Sequence, residues 1–255
     1  MPTLSKIIVY PIKALAGVEL TSVVISKGGT LTNDRRWAMV DRKGRMQNGK
    51  NNKKVFTMRP TFNLEEGSVT FAGESTAFEL SCNGLLQAYL SEQLGKPVFL
   101  KENAIEGFPD DPKAYGPTVV SVASLDAVAS WYPNLTLDDM RARFRVNLEI
   151  DGVPAFWEDQ VFRKDKPNRA INIGEVRIQP TNPCARCSVP IKSPTSGEPY
   201  VSFYETFIKC REDSKPTWLD AECFDHWYRL SLNTRIELSE HGGALQLGDE
   251  VNIGD

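Results

Sequence analysis

Two cysteines three residues apart, Cys184 and Cys187 in Pro-Cys-Ala-Arg-Cys, are the side chains best suited to bind a soft metal or act as nucleophiles. A thiolate does both. The spacing by itself leaves three readings open. The pair can be inert loop thiols. It can be half of a tetrahedral zinc site, completed by Cys223 and His226 in Cys-Phe-Asp-His. Or one of the two can be the sole protein ligand of a softer, redox-active metal.

A second set of residues suits an anion. Lys13 closes the apolar segment Tyr10-Pro11-Ile12-Lys13, and Asp34-Arg35-Arg36-Trp37 places two guanidinium groups where a strand begins. Phe144-Arg145-Val146-Asn147 puts Arg145 and Asn147 two residues apart, on one face if the segment is extended. Arg binds phosphate in a bidentate fork and Lys offers a point charge. Ser121 and Ser124 lie at an expected helix start, where backbone N–H groups favour an anion. Asp-Arg-Arg runs also occur as solvated ion-pair faces, so each signal is weak alone.

Other chemistries are excluded. The chain has no Gly-x-Gly-x-x-Gly, no P-loop and no Gly-x-Ser-x-Gly. With two histidines, a His-rich zinc enzyme is impossible. The net charge of -3 argues against bulk attraction to nucleic acid or anionic membrane. No apolar run approaches the ~20 residues of a membrane helix, and the N-terminus lacks a signal-peptide pattern. Five cysteines, an odd count, fit reduced thiols better than a disulfide scaffold. The expected location is therefore cytoplasmic, with neither nucleic acid nor membrane as a partner.

The elements that must position these residues are mostly strands. Ile7–Tyr10, Val18–Ser26, Trp37–Val40, Val55–Met58, Ser68–Phe71 and Lys96–Lys101 read as short strands, with a turn at Asp41–Gly44. Leu85–Leu94 has helical spacing and stops at Gly95. Glu106–Pro117, rich in Gly, Pro and Asp, is a loop and the expected domain boundary. Beyond it, Thr118–Val122 is a strand entering a helix capped by Ser124, and Thr136-Leu-Asp-Asp starts a second helix. Phe144–Ile150 alternates like a strand, Ala170–Gln179 reads as a hairpin around Gly174, and Leu247–Ile253 as a turn into a last strand. The sum is a β-rich α+β chain of 255 residues, with a β-barrel architecture favoured over a βαβ sheet.

The order of these weak signals carries more than any one of them. Tyr10-Pro-Ile-Lys13, Asp34-Arg-Arg-Trp37, Ser121-x-x-Ser124, Phe144-Arg-x-Asn147, Glu158-Asp159, Pro183-Cys-x-Arg-Cys187, Ser193-Pro-x-x-Gly197 and Gly248-Asp249 follow one another along nearly the whole chain. In this order they resemble the MOSC family, and within it the members with an N-terminal β-barrel domain, such as amidoxime-reducing and hydroxylaminopurine-resistance molybdoproteins.

The resemblance implies an N-terminal barrel-like domain over residues 1–115 packed on a MOSC β-barrel over 116–255, with a few helices. It implies a molybdenum cofactor whose metal is bound by Cys187, the catalytic centre. Lys13, Arg35 and Arg145 would surround its pterin and phosphate, with Asn147, Ser121 and Ser124 as hydrogen-bond partners and Arg186 helping to keep Cys187 ionised. The implied reaction is two-electron reduction of a small N-hydroxylated substrate. Because the chain has no Cys-rich tail, electrons are expected from a separate ferredoxin, flavoprotein or cytochrome-type protein. The alternative is a carrier of molybdenum cofactor, or of sulfur as a Cys187 persulfide. The chain departs from the family pattern at Ala14, at Met46–Lys50, at Pro190-Ile191 and at Ser193. All of these lie where the pocket is expected.

Overall fold

A computed structural model describes residues 1–81 and 84–254. Its strands are β1 (Thr3–Val9), β2 (Val18–Leu20), β3 (Ser22–Val24), β4 (Trp37–Val40), β5 (Pro60–Asn63), β6 (Ser68–Phe71), β7 (Phe78–Glu79) and β8 (Phe99–Glu102). They continue with β9 (Val119–Ser121), β10 (Leu148–Asp151), β11 (Ile171–Ile173), β12 (Val176–Ala185), β13 (Arg229–Ile236), β14 (Ala244–Gln246) and β15 (Val251–Ile253). The α-helices are α1 (Gly84–Leu94), α2 (Val122–Ser130), α3 (Leu137–Phe144) and α4 (Phe203–Asp213).

The fold is α+β and rich in strands. Eight strands form one mixed sheet in the order β15-β11-β12-β13-β9-β10-β1-β2. The residues entering β15 also bond to β1: Val251 N–H donates to Pro2 at 2.9 Å and Leu4 N–H to Asp249 at 2.9 Å. These bonds bring the far strands of the sheet together around an interior of Leu4, Ile7, Leu148, Ile150, Ile171, Ile178, Leu232 and Ile236, all fully buried. Each such side chain contributes about 1.5–3 kcal/mol of burial. β1 and β2 therefore belong to a sheet otherwise built from residues beyond 118. One pair, β9 with β10, is parallel, joined through α2 and α3. Parallel neighbours need such a crossover, because a tight turn reverses chain direction.

Of the other strands of the first half, β3 pairs with β14, and the rest form two smaller sheets, β4-β8 and β5-β6-β7. Val55, Met58, Phe62, Val69, Leu86, Leu90 and Leu100 pack with α1 into a second core. A third, aromatic core joins α2, α3 and α4. Phe207 lies 5.4 Å from Trp131, 5.7 Å from Phe144 and 5.1 Å from Tyr228 between ring centroids.

Three local expectations change. Residues 53–57 form a 3-10 turn capped by Asn52, not a strand. The cap of α2 is Ser121, whose Oγ accepts from Ser124 N–H at 3.1 Å, so Ser124 lies inside the first turn. Phe144–Ile150 is not one strand. α3 runs to Phe144, Arg145 ends it in the left-handed conformation, and β10 begins only at Leu148. Arg145 and Asn147 consequently do not share a strand face. Their alternation arose because Phe144 at the end of α3, Val146 in the link, and Leu148 and Ile150 in β10 are all buried.

Candidate functional site

A cavity of about 1300 Å³ opens between the two halves of the chain. Tyr10, Lys13, Arg35 and Phe56 line it from the first half, Arg145 and Cys187 from the second.

Its cationic end is built on Tyr10. The buried Asp34 carboxylate accepts from Tyr10 N–H at 2.9 Å and from Arg35 Nη1 at 2.5 Å. Arg35 Nη1 also donates to Asn147 Oδ1 at 3.2 Å. The Tyr10 ring has the Arg145 guanidinium 4.1 Å from its centroid and that of Arg35 at 5.7 Å, within cation–π range. Burial pushes the Tyr10 hydroxyl far above its ordinary pKa, so it stays neutral, and it donates to Val146 C=O at 3.2 Å. The backbone N–H of Arg145 donates to Arg141 C=O at 2.9 Å, while its side chain makes no hydrogen bond or ion pair among the described residues. Apart from the Tyr10 ring, it presents a guanidinium fork with no hydrogen-bonding partner.

The backbone here is strained. Ala14, Arg35 and Arg145 have φ of 79°, 48° and 54°. Non-glycine residues rarely adopt this region, and such residues gather at ligand sites.

Lys13 is not a free charge. Its Nζ donates to Phe108 C=O at 2.9 Å and Pro109 C=O at 3.0 Å, and pairs with Asp110 Oδ1 at 2.8 Å. The surrounding chain partly desolvates the Asp110 carboxyl, which would raise it, but Lys13, Arg35 and Arg145 hold it down at about 2.

Cys187 follows β12 and is exposed, and Val189 N–H points at its Sγ at 3.5 Å. The wall beside it is braced across the chain. Buried Arg143 donates to Pro190 C=O and Lys192 C=O, each at 2.8 Å, and Lys192 Nζ to Gly49 C=O at 2.7 Å. Arg186 does not face Cys187. Its Nη1 reaches Cys184 Sγ at 3.1 Å and its Nη2 donates to Phe144 C=O, which ties the cysteine segment to the residue before Arg145.

Of the residues singled out from sequence, Lys13, Arg35, Arg145, Arg186 and Cys187 line the cavity. Asn147, Ser121 and Ser124 do not: all three are fully buried behind it. Asn147 Oδ1 also accepts from Thr118 N–H at 3.1 Å and Oγ1 at 3.0 Å, while Nδ2 donates to Ile8 C=O at 3.0 Å. It is a strut that aims Arg35. Ser121 and Ser124 hold the start of α2, their Oγ atoms 2.6 Å apart, and Ser124 Oγ accepts from Phe156 N–H at 2.6 Å.

The zinc constellation is not assembled. Cys184 and Cys187 border the cavity, whereas Cys223 packs against the interior of the large sheet and His226 Nδ1 accepts from Tyr228 N–H at 3.1 Å. Among the described residues no three His, Cys, Asp or Glu side chains converge as metal ligands. Cys82 lies outside the described residues.

Sequence reasoning missed Asp110, Arg143 and Lys192. Asp110 had a signal in its Gly/Pro/Asp-rich loop, but nothing local ties it to a lysine 97 positions earlier. Arg143 lies on α3, and no local pattern ties it to the carbonyls of Pro190 and Lys192, 47 and 49 positions later.

Comparison with known proteins then adds the family. Residues 1–102 match the model of the MOSC N-terminal beta barrel domain, and residues 116–252 that of the MOSC domain. No curated protein matches the chain. Among solved structures, the YUAD protein from Bacillus subtilis is similar with a TM-score of 0.39 and 12% identity, covering 98% of this chain and 94% of that one. No helix among the described residues is long and apolar enough to cross a membrane.

Proposed function

The chain belongs to the MOSC family, which is associated with binding of molybdenum cofactor, and we propose that it is a molybdenum-cofactor oxidoreductase that reduces small N-hydroxylated compounds. One observation carries this reading. A single cavity joins an exposed thiol, Cys187, to the unpartnered guanidinium of Arg145 and the buttressed one of Arg35. A thiolate suits a soft metal, and paired guanidinium groups suit the phosphate and pterin oxygens of an anionic cofactor. The donor set and the size of the cavity fit that group.

In this reading Cys187 is the protein ligand of the metal. Arg145 and Arg35 would bind the anionic tail, Asn147 fixes the direction of Arg35, and the Tyr10 ring gives both guanidinium groups a cation–π contact. The Lys192–Gly49 bond keeps the wall from the first half against the Cys187 segment and limits water at the reacting end. The cofactor supplies the two-electron chemistry; the chain supplies binding, orientation and charge. Electrons arrive from a separate electron-transfer protein of ferredoxin, flavoprotein or cytochrome type, and the protein works in the cytoplasm.

The test is elemental analysis of protein made in a host that produces the cofactor, with turnover of benzamidoxime by an artificial reductant. The expectation is molybdenum near one per chain with turnover, both lost in Cys187→Ser. Molybdenum without turnover would replace the oxidoreductase with a carrier. Normal molybdenum in Cys187→Ser would remove the assigned ligand.

A further inference from the structure

All three ammonium protons of Lys13 are committed to one loop. Two go to the Phe108 and Pro109 carbonyls and the third to the Asp110 carboxylate. The loop is itself anchored on the cation cluster. Phe108 N–H donates to Arg35 C=O at 2.8 Å, and Gly107 adopts φ 65° where an added Cβ would stand 2.7 Å from Asp34 C=O. Lys13 is thus 13% exposed and held, whereas the Asp110 side chain bonded to it is 80% exposed. Of the three acceptors, only this carboxylate can leave by turning a side chain into solvent. The two carbonyls move only with the backbone.

We propose that Asp110 is an internal counter-ion: its carboxylate occupies the anion position of the Lys13–Arg35–Arg145 cluster, and an incoming phosphate group displaces it. Displacement frees one Lys13 proton for the ligand and leaves the loop tied by its carbonyl bonds, so the site opens without unfolding. Asp34 already neutralises Arg35, which leaves Lys13 and Arg145 as excess positive charge in a cavity partly shielded from water, and the Asp110 carboxylate relieves their repulsion. It also sets a threshold, since a weak monoanion gains too little to replace a carboxylate already in place. Asp110 is therefore a specificity element for strongly charged anions. This rests on the reading of the cavity as the anionic end of a cofactor site.

The test uses the full chain purified without cofactor, with inorganic phosphate as the probe at pH 8, read by titration calorimetry. Asp110→Asn keeps an oxygen for Lys13 but removes the charge. Asp111→Asn, also at the cavity, makes the same change in net charge one residue away. Asp110→Asn is expected to bind phosphate about two- to fivefold more tightly than wild type, the range for loss of a partly exposed ion pair. Asp111→Asn should change affinity less than about twofold, as a screened bystander charge. Equal, measurable affinity in Asp110→Asn and wild type would overturn the counter-ion and leave the anion site standing. Equal tightening by both variants would overturn it too, by showing only a net-charge effect. No phosphate binding by folded wild type or Asp110→Asn would overturn the anion site and the counter-ion together.

Discussion

Replacing Glu158 by Gln should stabilise the protein at alkaline pH and do little at acid pH. Glu158 and Asp159 lie side by side on a 3-10 turn, both buried, between the start of α2 and α4. Asp159 is paired with buried Arg211, whose guanidinium also sits 3.9 Å from the Phe156 centroid. Glu158 has no cation of its own among the described residues. Burial first, and then the Asp159 charge, raise its carboxyl from an ordinary 4.5 to about 7, and neither of its oxygens has a hydrogen-bond partner among the described residues. An acid raised on folding holds its proton more tightly in the native state. Its stabilising contribution is therefore complete below about pH 4, shrinks as pH rises to about 7, and is flat above that. Taken at face value that displacement is worth about 3 kcal/mol, and sharing of the proton with Asp159 lowers it to about 1–3 kcal/mol. Urea unfolding at pH 5 and pH 8 measures it. The difference in stability between Glu158→Gln and wild type should grow by that amount between the two pH values, with Asp159 contributing through its coupling to Glu158 and the remaining groups cancelling. A difference that stays constant within about 0.5 kcal/mol would refute the assignment of a proton to Glu158, because an amide could then gain nothing as pH rises.

Two other outcomes separate binding from folding. Arg145→Gly relieves a left-handed φ of 54° at the end of α3 and removes the unpartnered guanidinium. Stability should stay within about 1 kcal/mol of wild type while phosphate affinity falls about tenfold or more, measured by urea unfolding and calorimetry on one preparation. Phe207→Ala, at the centre of the aromatic core, should cost about 3–5 kcal/mol in the same unfolding assay. A loss under about 1 kcal/mol would mean that the core closes around the gap.

Much of the site was legible from residue types and order alone. The thiols of Cys-x-x-Cys and the cations Lys13, Arg35 and Arg145 stand out as candidates for soft-metal and anion chemistry, each weak alone and joined by their order along the chain; the structure places Lys13, Arg35, Arg145 and Cys187 around one cavity. Turn chemistry was legible too: Gly95 ends α1 at φ 70°, Gly174 turns the β11-β12 hairpin at φ 54°, and Thr136 with Asp139 forms the capping box of α3. Each depends on residues within a few positions of one another. Three other features needed the folded chain. Phe144–Ile150 alternates like a strand, yet a left-handed Arg145 divides it into the end of α3 and the start of β10, a break that serves the cavity rather than local propensity. Asn147 and the two serines have the chemistry of ligand contacts, and only their burial makes them supports. The Lys13–Asp110 pair spans 97 positions, and no pattern of short range encodes it. Composition and spacing named which groups have suitable chemistry, because that is a property of each side chain. Tertiary structure settled which of them are free to do it, because partners and solvent access are properties of the neighbours that folding supplies.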